Sequence, residues 1–556
     1  MRSRLLPAVA LALTLALATY LRLANLGRYE LWSDELYAHF AARSLQQGAG
    51  PLLPSGEAYW RGIDVTRLIA VANEHVAPLE LATRLPAALF GILNVALFSL
   101  VAWRMAGAWA AVAAALLLAI YPEAVFQSRY ARFYTYQLNF GLIALLAGWE
   151  IVRHAGAREP PARARLHAAQ LWAAVAVVVL LLAARVQVTT LSAVTGLALA
   201  FLLAGVADLH ARGRAAWRES VALQLAAAGT AALVVVAAAA PQMIRGLVTL
   251  SQFTPLWYER ASDGDPSVRA YYWSLSEAFP ALISLCPIVF LYVVARDRRL
   301  GTYLLVWFAV PFLLHSFLFP WKQPRFILLA VPALLLAGAI ALVALLRAVH
   351  DVALRALAAR GPLGRRARVA AGVAVAAASL VALVTTPAFN DARRLAAGPM
   401  RRTMGDDYRE VARLIRAVPG SDSIPLGSVS PLRSLLYWGR VDFTVRYNFL
   451  ERIVADDGGR RMRMHEEGVR DFYSGVPVLA SPEAIRQRFA SRGRVLIVPE
   501  RTQAEDVPPL LDTLEARAEE LCRGRCGGLQ LYLWDLGAPA GASGTAGAAA
   551  GVERSR

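Results

Sequence analysis

Long apolar stretches are the feature that most limits how this chain of 556 residues folds. About eleven of them have the roughly 20 residues that an α-helix needs to cross a bilayer, or nearly that number. They lie at about residues 5–21, 82–103, 107–121, 134–152, 169–184, 189–207, 221–241, 275–294, 301–319, 326–346 and 369–386. The sequence therefore predicts a polytopic α-helical membrane protein. No small-residue cleavage site follows the first stretch, which is therefore expected to be a retained helix.

The distribution of arginine predicts the orientation of these spans. The net charge is +18, and so basic a chain could in principle bind nucleic acid. The arginines instead gather in alternate loops, for example in residues 153–165, 212–218 and 347–368. Eleven spans place all of these loops on one side, which the positive-inside rule makes the cytoplasm. We therefore predict a bacterial inner-membrane protein with a cytoplasmic N-terminus, an extracytoplasmic C-terminal segment and no nucleic-acid partner.

Residues 1–386 are predicted to form the transmembrane domain. Its first outside loop, residues 22–81, contains two partly apolar helical patterns, at residues 36–45 and 65–76. Such patterns are typical of helices that lie in the plane of the membrane interface.

Residues 387–536 are less hydrophobic and predict a soluble, extracytoplasmic α/β domain. Its expected elements are an amphipathic helix, a helix start with a serine N-cap, and two strands, at residues 407–418, Ser481, 495–498 and 529–534. Residues 537–556 are rich in Ala, Gly and Ser, and predict a disordered tail.

Two of the three cysteines, Cys522 and Cys526, fall in this C-terminal domain. An oxidising compartment and the glycine between them permit a disulfide. A four-residue spacing without histidine partners argues against a metal site.

Two adjacent acids follow the first span, in the motif Trp32-Ser33-Asp34-Glu35. If a helix begins near Ser33, the two side chains point about 100° apart, so only one faces a given pocket squarely. One interpretation is helix capping, because acids in the first turn favour the helix dipole. The other is that Asp34 or Glu35 is a catalytic general base, which activates an acceptor hydroxyl.

Four basic residues lie at span ends on the same predicted side of the membrane: Arg129, Arg132, Lys322 and Arg325. Arginine makes bidentate phosphate contacts and lysine supplies a point charge, so together they could hold a donor phosphate. Snorkelling to the headgroup level would explain any one of them alone. An acid site and a basic site on one membrane face indicate chemistry on an anionic, lipid-borne substrate. Lys322 is also the sole lysine of the chain.

Weaker substrate-binding candidates lie on the same side. Tyr130 and Tyr134 fit either an interfacial aromatic belt or stacking on a sugar ring. Glu74 and His75 could contribute to a divalent metal site, although two residues make a weak signal. Arg84, at the start of the second span, is either a structural anchor or a ligand. No cofactor is indicated with certainty, and the metal stays open.

Four motifs in order carry a resemblance to a known superfamily: Trp32-Ser33-Asp34-Glu35, Arg84-Leu85-Pro86-Ala87-Ala88-Leu89-Phe90-Gly91, Ser128-Arg129-Tyr130-Ala131-Arg132-Phe133-Tyr134 and Lys322-Gln323-Pro324-Arg325-Phe326. They resemble the protein O-mannosyltransferases and lipid A aminoarabinose transferases, which are polytopic GT-C glycosyltransferases that use polyprenyl-phosphate sugars. The resemblance covers roughly residues 5–346. It implies that Asp34 matches the first-loop catalytic acid and that Lys322 and Arg325 match the basic positions beside the phosphate. No acid stands near Arg132, where the aminoarabinose branch has one, so the sugar and any metal stay open.

The sequence thus predicts an inverting glycosyltransferase of GT-C type. It would transfer a sugar from a polyprenyl-phosphate donor to a lipid, glycan or protein acceptor on the outer face of the inner membrane. One alternative is a transporter or lipid flippase, although we find no internal repeat and the ionisable residues lie at span ends. Another is an oligosaccharide ligase or polymerase with a pyrophosphate-linked donor, which the Asp-Glu loop fits less well.

Overall fold

The structure is a computed structural model that describes most of the chain. The described residues are 2–155, 163–187, 189–229, 267–318, 322–359, 364–399, 407–445, 463–465, 468–471, 473–479, 481–499, 508–522, 525–526 and 528–537. The predicted span at 221–241 therefore falls mostly outside the described residues, and the predicted tail falls almost wholly outside them.

Helices make up most of the described chain. In chain order they are α1 Arg2–Leu23, α2 Ser33–Gln46, α3 Ile63–His75, α4 Leu79–Ala106, α5 Ala108–Ile120, α6 Pro122–Ser128, α7 Tyr134–Val152, α8 Arg163–Val186, α9 Thr190–Arg212, α10 Ala216–Glu219, α11 Ala270–Ala278, α12 Pro280–Ser284, α13 Cys286–Arg296, α14 Arg298–Leu318, α15 Val331–Ala358, α16 Arg365–Val384, α17 Pro387–Ala397, α18 Tyr408–Ala417, α19 Pro431–Trp438, α20 Pro482–Phe489 and α21 Pro508–Arg517. A short 3-10 turn, Pro324–Ile327, lies between α14 and α15.

The chain divides into two compact units that are not contiguous in sequence. The membrane unit comprises Met1–Leu26 and Arg84–Gly398, and the sheet unit comprises Gly27–Thr83 and Pro399–Arg556. The domain boundaries predicted at residues 386 and 536 stay predictions.

The membrane unit contains the helices that are able to cross a bilayer. Among the described residues, six helices are long and apolar enough for this, namely α1, α4, α8, α9, α14 and α15, with α1 counted from Leu5 and α9 continued to Glu219. A seventh span results if α5 and α6, which meet at a bend of 64°, are one broken span. The polytopic helical fold is thus present, whereas the predicted number of eleven spans stays a prediction.

Close helix packing near one end of the membrane unit depends on Gly91 in α4. A Cβ atom at this position would lie 2.1 Å from Oγ of Ser128 and 3.1 Å from Nε of Arg22. Three helices, α1, α4 and α6, therefore meet where only a hydrogen fits, because real Cβ atoms do not approach other heavy atoms so closely.

We expect the substitution Gly91→Ala to lower the stability of the protein by about 1–3 kcal/mol, the usual cost of overpacking. Gly229→Ala is the matched control, since a Cβ there meets no atom of the described part of the chain within 4 Å. Thermal unfolding of both full-length variants in detergent measures the difference. Equal unfolding temperatures for the two variants would show that the contact at Gly91 is not tight.

The sheet unit is built on a mixed five-stranded sheet. The strands are β1 Leu426–Ser428, β2 Phe443–Thr444, β3 Arg463–His465, β4 Gly468–Arg470, β5 Arg494–Val498, β6 Ala518–Glu520 and β7 Tyr532–Asp535. The order in the large sheet is β2-β1-β5-β7-β6. β1 pairs in parallel with β2 and β5, whereas β7 pairs antiparallel with β5 and β6. β3 and β4 form a separate antiparallel pair.

Both faces of this sheet are covered by apolar packing, as the alternation of side chains along β5 requires. One face packs against α18, through Leu496 and Val498 of β5. The other packs against α20 and α21, through Val495 and Ile497. The result is a sheet between helical layers, which is a stable way to bury an apolar sheet on both faces.

Several local predictions for this region are confirmed. Helix α18 covers the predicted amphipathic segment, with Asp407 as N-cap accepting from the Glu410 amide at 2.8 Å. Ser481 caps α20 by accepting from the Ala484 amide at 3.1 Å. Strand β5 contains the strand predicted at residues 495–498, and β7 overlaps the second predicted strand. Cys522 and Cys526 form a disulfide, the pairing that their spacing permitted.

Candidate functional site

The acid motif opens helix α2 in the sheet unit, so the condition under which the two acids point apart is met. Trp32 is the N-cap residue, and the Glu35 carboxylate reaches back to accept a hydrogen bond from the Trp32 amide at 2.9 Å. Glu35 is completely buried. This contact is half of a capping box, in which the third helical residue satisfies the amide of the N-cap. Glu35 therefore fixes the start of the helix.

Asp34 occupies the same first helical turn but has a different environment. Its side chain is only half-buried, so a substrate hydroxyl could reach it. The two acids of the motif are thus separated by their surroundings: Glu35 holds the backbone, and Asp34 is the accessible carboxylate. Of the two catalytic candidates, the geometry favours Asp34.

Glu74 and His75 are exposed at the end of α3 in the same unit. Within the described ranges, no group of three or more His, Cys, Asp or Glu side chains is placed to hold a metal ion. Glu74 and His75 stay weak substrate-binding candidates.

A polar network that the sequence did not predict ties residues 27–83 to the C-terminal part of the sheet unit. The Tyr437 hydroxyl accepts from the Leu31 amide at 2.7 Å and donates to the Glu80 carboxylate at 3.2 Å. Glu80, which is buried, also forms an ion pair with Arg409. The partners are more than 300 residues apart in sequence, so no local pattern could reveal them.

Glu30 belongs to the same region. Its two carboxylate oxygens accept hydrogen bonds from the Tyr408 and Arg409 amides, both at 3.2 Å, at the start of α18. Burial raises the pKa of Glu30 to about 7, although these amides and the charge of Arg409 oppose the rise. The buried, ionised carboxylate is therefore costly above neutral pH.

We expect the stability of the protein to fall as the pH rises from about 5 to 8, because a carboxyl with a raised pKa in the folded state binds its proton more tightly when folded. The contribution is complete below the unfolded pKa and is lost as the pH passes about 7; its full size is about 3 kcal/mol. The unfolding temperature of Glu30→Gln should vary less over this range than that of the wild type. Parallel pH profiles of the two proteins would exclude Glu30 as the cause.

Two buried arginines in the membrane unit cap helix ends. Arg22, at the end of α1, donates to the carbonyls of Leu118 and Ala119 at the end of α5, at 3.4 and 3.2 Å. Arg129, which follows α6, donates through Nη1 to three carbonyls at the end of α1, at 2.7 to 3.2 Å. Cations at helix C-termini satisfy carbonyls that have no partner within the helix. Arg129, a predicted phosphate ligand, thus has a structural task for at least one of its nitrogens.

Arg84 and Tyr130 are also buried in this unit. Arg84 donates to the Leu26 carbonyl at 3.1 Å, which fits the structural-anchor interpretation of this residue. The Tyr130 ring lies 5.3 Å from the ring of Phe126.

The remaining basic candidates come from two segments that are distant in sequence and in contact in the structure. The Arg325 guanidinium lies 5.4 Å from the centre of the Tyr134 ring, at the first residue of α7. Arg132, just before α7, lies 5.1 Å from the Phe133 ring. The side chains of Arg132, Lys322 and Arg325 are all buried, with 4 to 9% of their surface exposed. The structure thus joins the segment 132–134 to the segment 322–325, through a cation–π contact.

His315 was missed by the sequence analysis. It is buried in α14, where Nε2 lies 3.0 Å from the Ser192 hydroxyl. Its ring stacks at 6.3 Å on Phe326, which directly follows Arg325. A histidine inside an apolar span was the available signal, because ionisable residues within spans commonly mark functional positions.

The structure therefore brings together part of the predicted set. Asp34, Glu35, Glu74 and His75 lie in the sheet unit, and the basic and aromatic candidates lie in the membrane unit. Within the membrane unit, the contacts described above connect Arg325 to Tyr134 directly.

No protein-family model matches the sequence, and no curated protein matches it either. Solved structures do match. ArnT from Cupriavidus metallidurans, a lipid A aminoarabinose transferase, is similar in its apo state with a TM-score of 0.56 and 15% identity, over 94% of this chain and 97% of ArnT. The same protein bound to undecaprenyl phosphate gives a TM-score of 0.55 and 16% identity, over 95% and 97%.

The archaeal oligosaccharyltransferase AglB from Archaeoglobus fulgidus, in complex with an inhibitory peptide and a dolichol-phosphate, is also similar. Its TM-score is 0.55 and its identity 13%, over 95% of this chain and 74% of AglB. Identities this low establish the fold alone. The chain is an integral membrane protein with the GT-C fold that ArnT and AglB share, as its motifs indicated.

Proposed function

We propose that this protein is an inverting glycosyltransferase that uses a polyprenyl-phosphate-linked sugar as donor. The observation that carries the proposal is the contact of Arg325 with Tyr134, which joins the segments of three buried cations, Arg132, Lys322 and Arg325, in a membrane unit of GT-C fold. Ionisable residues buried in a membrane protein commonly mark a substrate or ion site. A lipid phosphate is an anion that reaches this environment from the bilayer.

The basic residues have a defined task in this proposal. Arg132 and Arg325 would each donate two hydrogen bonds to the phosphate oxygens, and Lys322 would supply a point charge. The start of α7, between Arg132 and Tyr134, adds the positive end of a helix dipole. As the glycosidic bond breaks, the leaving phosphate gains negative charge, so these groups stabilise the transition state more than the bound donor. Arg129 contributes less, because three carbonyls occupy its Nη1.

Asp34 is the proposed general base. It would take the proton from an acceptor hydroxyl while the hydroxyl oxygen attacks the anomeric carbon and the phosphate leaves with the bonding electrons. A phosphate leaves without needing a proton, so one carboxylate suffices, whereas a glycoside hydrolase normally needs two. A single displacement inverts the anomeric centre. Glu35 would position Asp34 by fixing the start of α2.

The acceptor would be a lipid, glycan or protein of the cell envelope, and the reaction would occur on the outer face of the bacterial inner membrane. We also propose that the chain crosses the membrane eleven times and that its C-terminal α/β domain is extracytoplasmic.

The topology gives a prediction of its own. A reporter fused after residue 390 should be extracytoplasmic, whereas reporters fused near Arg165 and Arg366 should be cytoplasmic, because arginine-rich loops stay inside. Paired alkaline phosphatase and fluorescent fusions measure this. A cytoplasmic reading at residue 390 would contradict the span count.

Native mass spectrometry of the full-length protein with undecaprenyl phosphate tests whether the donor is a polyprenyl phosphate. We expect the wild type to retain the lipid, and Arg325→Gln to lose most of it. Arg355→Gln is the control, since Arg355 is exposed in α15. Undecaprenyl diphosphate serves as the competitor: preference for it would favour a ligase or polymerase with a pyrophosphate-linked donor. Absence of binding by the wild type would contradict the proposal.

A further inference from the structure

Three tyrosines from separate segments of the sheet unit form an aromatic group. Tyr37 of α2 and Tyr473 stack with ring centres 4.4 Å apart and planes 18° apart. Tyr59 lies on Tyr37 at 6.1 Å with a tilt of 46°. We call Tyr37, Tyr59 and Tyr473 the tyrosine trio. Its rings come from α2, from the first loop and from the C-terminal segment.

The exposure of the tyrosine trio differs from that of other aromatic stacks in the sheet unit. In the Tyr408–Trp438 stack, Tyr408 is almost fully buried, and in the Phe443–Phe489 stack, Phe443 is fully buried. All three rings of the trio are only half-buried. Tyr37 and Tyr473 pack with part of their surface on the cluster of Leu31, Leu36, Phe40 and Leu432, and the rest of their surface faces solvent.

The loops that carry Tyr59 and Tyr473 are held by hydrogen bonds. Tyr59 follows a hairpin closed by the bridge Leu52–Ala58 and by a bond from the Tyr59 amide to the Pro51 carbonyl at 2.8 Å. Tyr473 lies in a turn in which the Asp471 carboxylate accepts from the amide and the hydroxyl of Ser474, at 2.8 and 2.6 Å. The ring positions are therefore fixed before any ligand arrives, which lowers the entropic cost of binding.

The trio is also next to the proposed base. Asp34 and Tyr37 are three residues apart in α2, so they lie on the same helix face. Glu57 and Tyr59 alternate with Ala58 along an extended stretch, so they share a face as well. Half-exposed aromatic rings with neighbouring carboxylates suit a sugar, because C–H faces pack on rings and hydroxyls donate to carboxylates.

We propose that the tyrosine trio is a binding platform for the acceptor, and that this acceptor is a carbohydrate, either a glycan or the sugar headgroup of a glycolipid. A sugar bound against the exposed edges of Tyr37 and Tyr473 would bring a hydroxyl towards Asp34, which shares a face of α2 with Tyr37. A protein acceptor would not need a stacked aromatic platform beside the base. This inference rests on the proposed function and narrows its acceptor.

The test uses the full-length protein in detergent and an array of immobilised mono- and oligosaccharides. We expect the wild type to bind at least one saccharide, and Tyr37→Leu and Tyr473→Leu to weaken that binding about tenfold or more. Tyr37→Phe and Tyr473→Phe keep the ring and should stay within about threefold of the wild type. Phe489→Leu is the matched control, because it also removes a half-buried ring of a stack in the same unit.

Thermal unfolding shows whether each variant is folded. If Tyr37→Leu does not fold, the saccharide-binding measurement is made with Tyr59→Leu instead. Undecaprenyl phosphate binding is measured in parallel and should be unchanged in every tyrosine variant. A wild type that binds no saccharide, or Leu variants that bind like the wild type, would overturn the platform. Loss of undecaprenyl phosphate binding by the wild type would instead count against the proposed function, so the two failures are distinguishable.

Discussion

Asp34→Asn is expected to lower the rate of sugar transfer by about a hundredfold or more, because loss of a general base typically costs this much. Asparagine keeps the volume and removes the basic oxygen, so donor binding and folding should survive. The measurement is the transfer rate of the purified protein with a synthetic polyprenyl-phosphate sugar, alongside its thermal unfolding. A loss of activity without a loss of stability identifies a chemical role.

Glu35→Gln is the matched control for this substitution. Its amide oxygen can still accept from the Trp32 amide, so the start of α2 is preserved. We expect transfer within a few-fold of the wild type. Near-normal activity in Asp34→Asn, combined with inactive Glu35→Gln, would move the base to Glu35.

Lys322→Ala is expected to lower both turnover and donor affinity, because the charge acts on the leaving phosphate as well as on the bound donor. Restoring a cation with Lys322→Arg should recover only part of the turnover and donor affinity, since the planar guanidinium and the lysine ammonium place their hydrogen-bond donors differently. Steady-state kinetics of both variants provide the test. If Lys322 only anchors the headgroup, Lys322→Arg would be silent and Lys322→Ala would chiefly lower expression.

The single lysine allows a direct second measurement. An amine-reactive reagent can modify Lys322 and the N-terminus, and no other lysine exists in the chain. Undecaprenyl phosphate should protect Lys322 from modification if it binds there. Unchanged kinetics of Lys322→Ala, together with unprotected labelling, would leave Arg132 and Arg325 as the phosphate ligands.

The membrane character and several local elements were predictable from sequence because their signals are local. A run of apolar residues specifies a spanning helix on its own, and an N-cap such as Ser481 acts within one helical turn. The GT-C fold followed from four ordered motifs, and the structural comparisons confirm it.

The roles of individual charged residues were less readable because they depend on distant partners. Glu35 and Asp34 are neighbours in sequence, yet burial and one hydrogen bond to Trp32 separate their tasks. Arg129 looked like a phosphate ligand, and its three carbonyl partners at the end of α1 appear only in the fold. The contact between Tyr37 and Tyr473 joins residues more than 400 positions apart. Such contacts follow from tertiary packing, which no periodicity encodes.

Single-turnover transfer from a radiolabelled polyprenyl-phosphate sugar tests the central claim most directly. The full-length protein is mixed with the donor and with cell-envelope fractions as acceptor, and both products are followed. The account predicts that one polyprenyl phosphate is released for each labelled sugar transferred, and that the new linkage has the inverted anomeric configuration. It also predicts that Asp34→Asn binds the donor but releases no polyprenyl phosphate from it. A wild type that leaves a panel of such donors intact, or that retains the anomeric configuration, would contradict it.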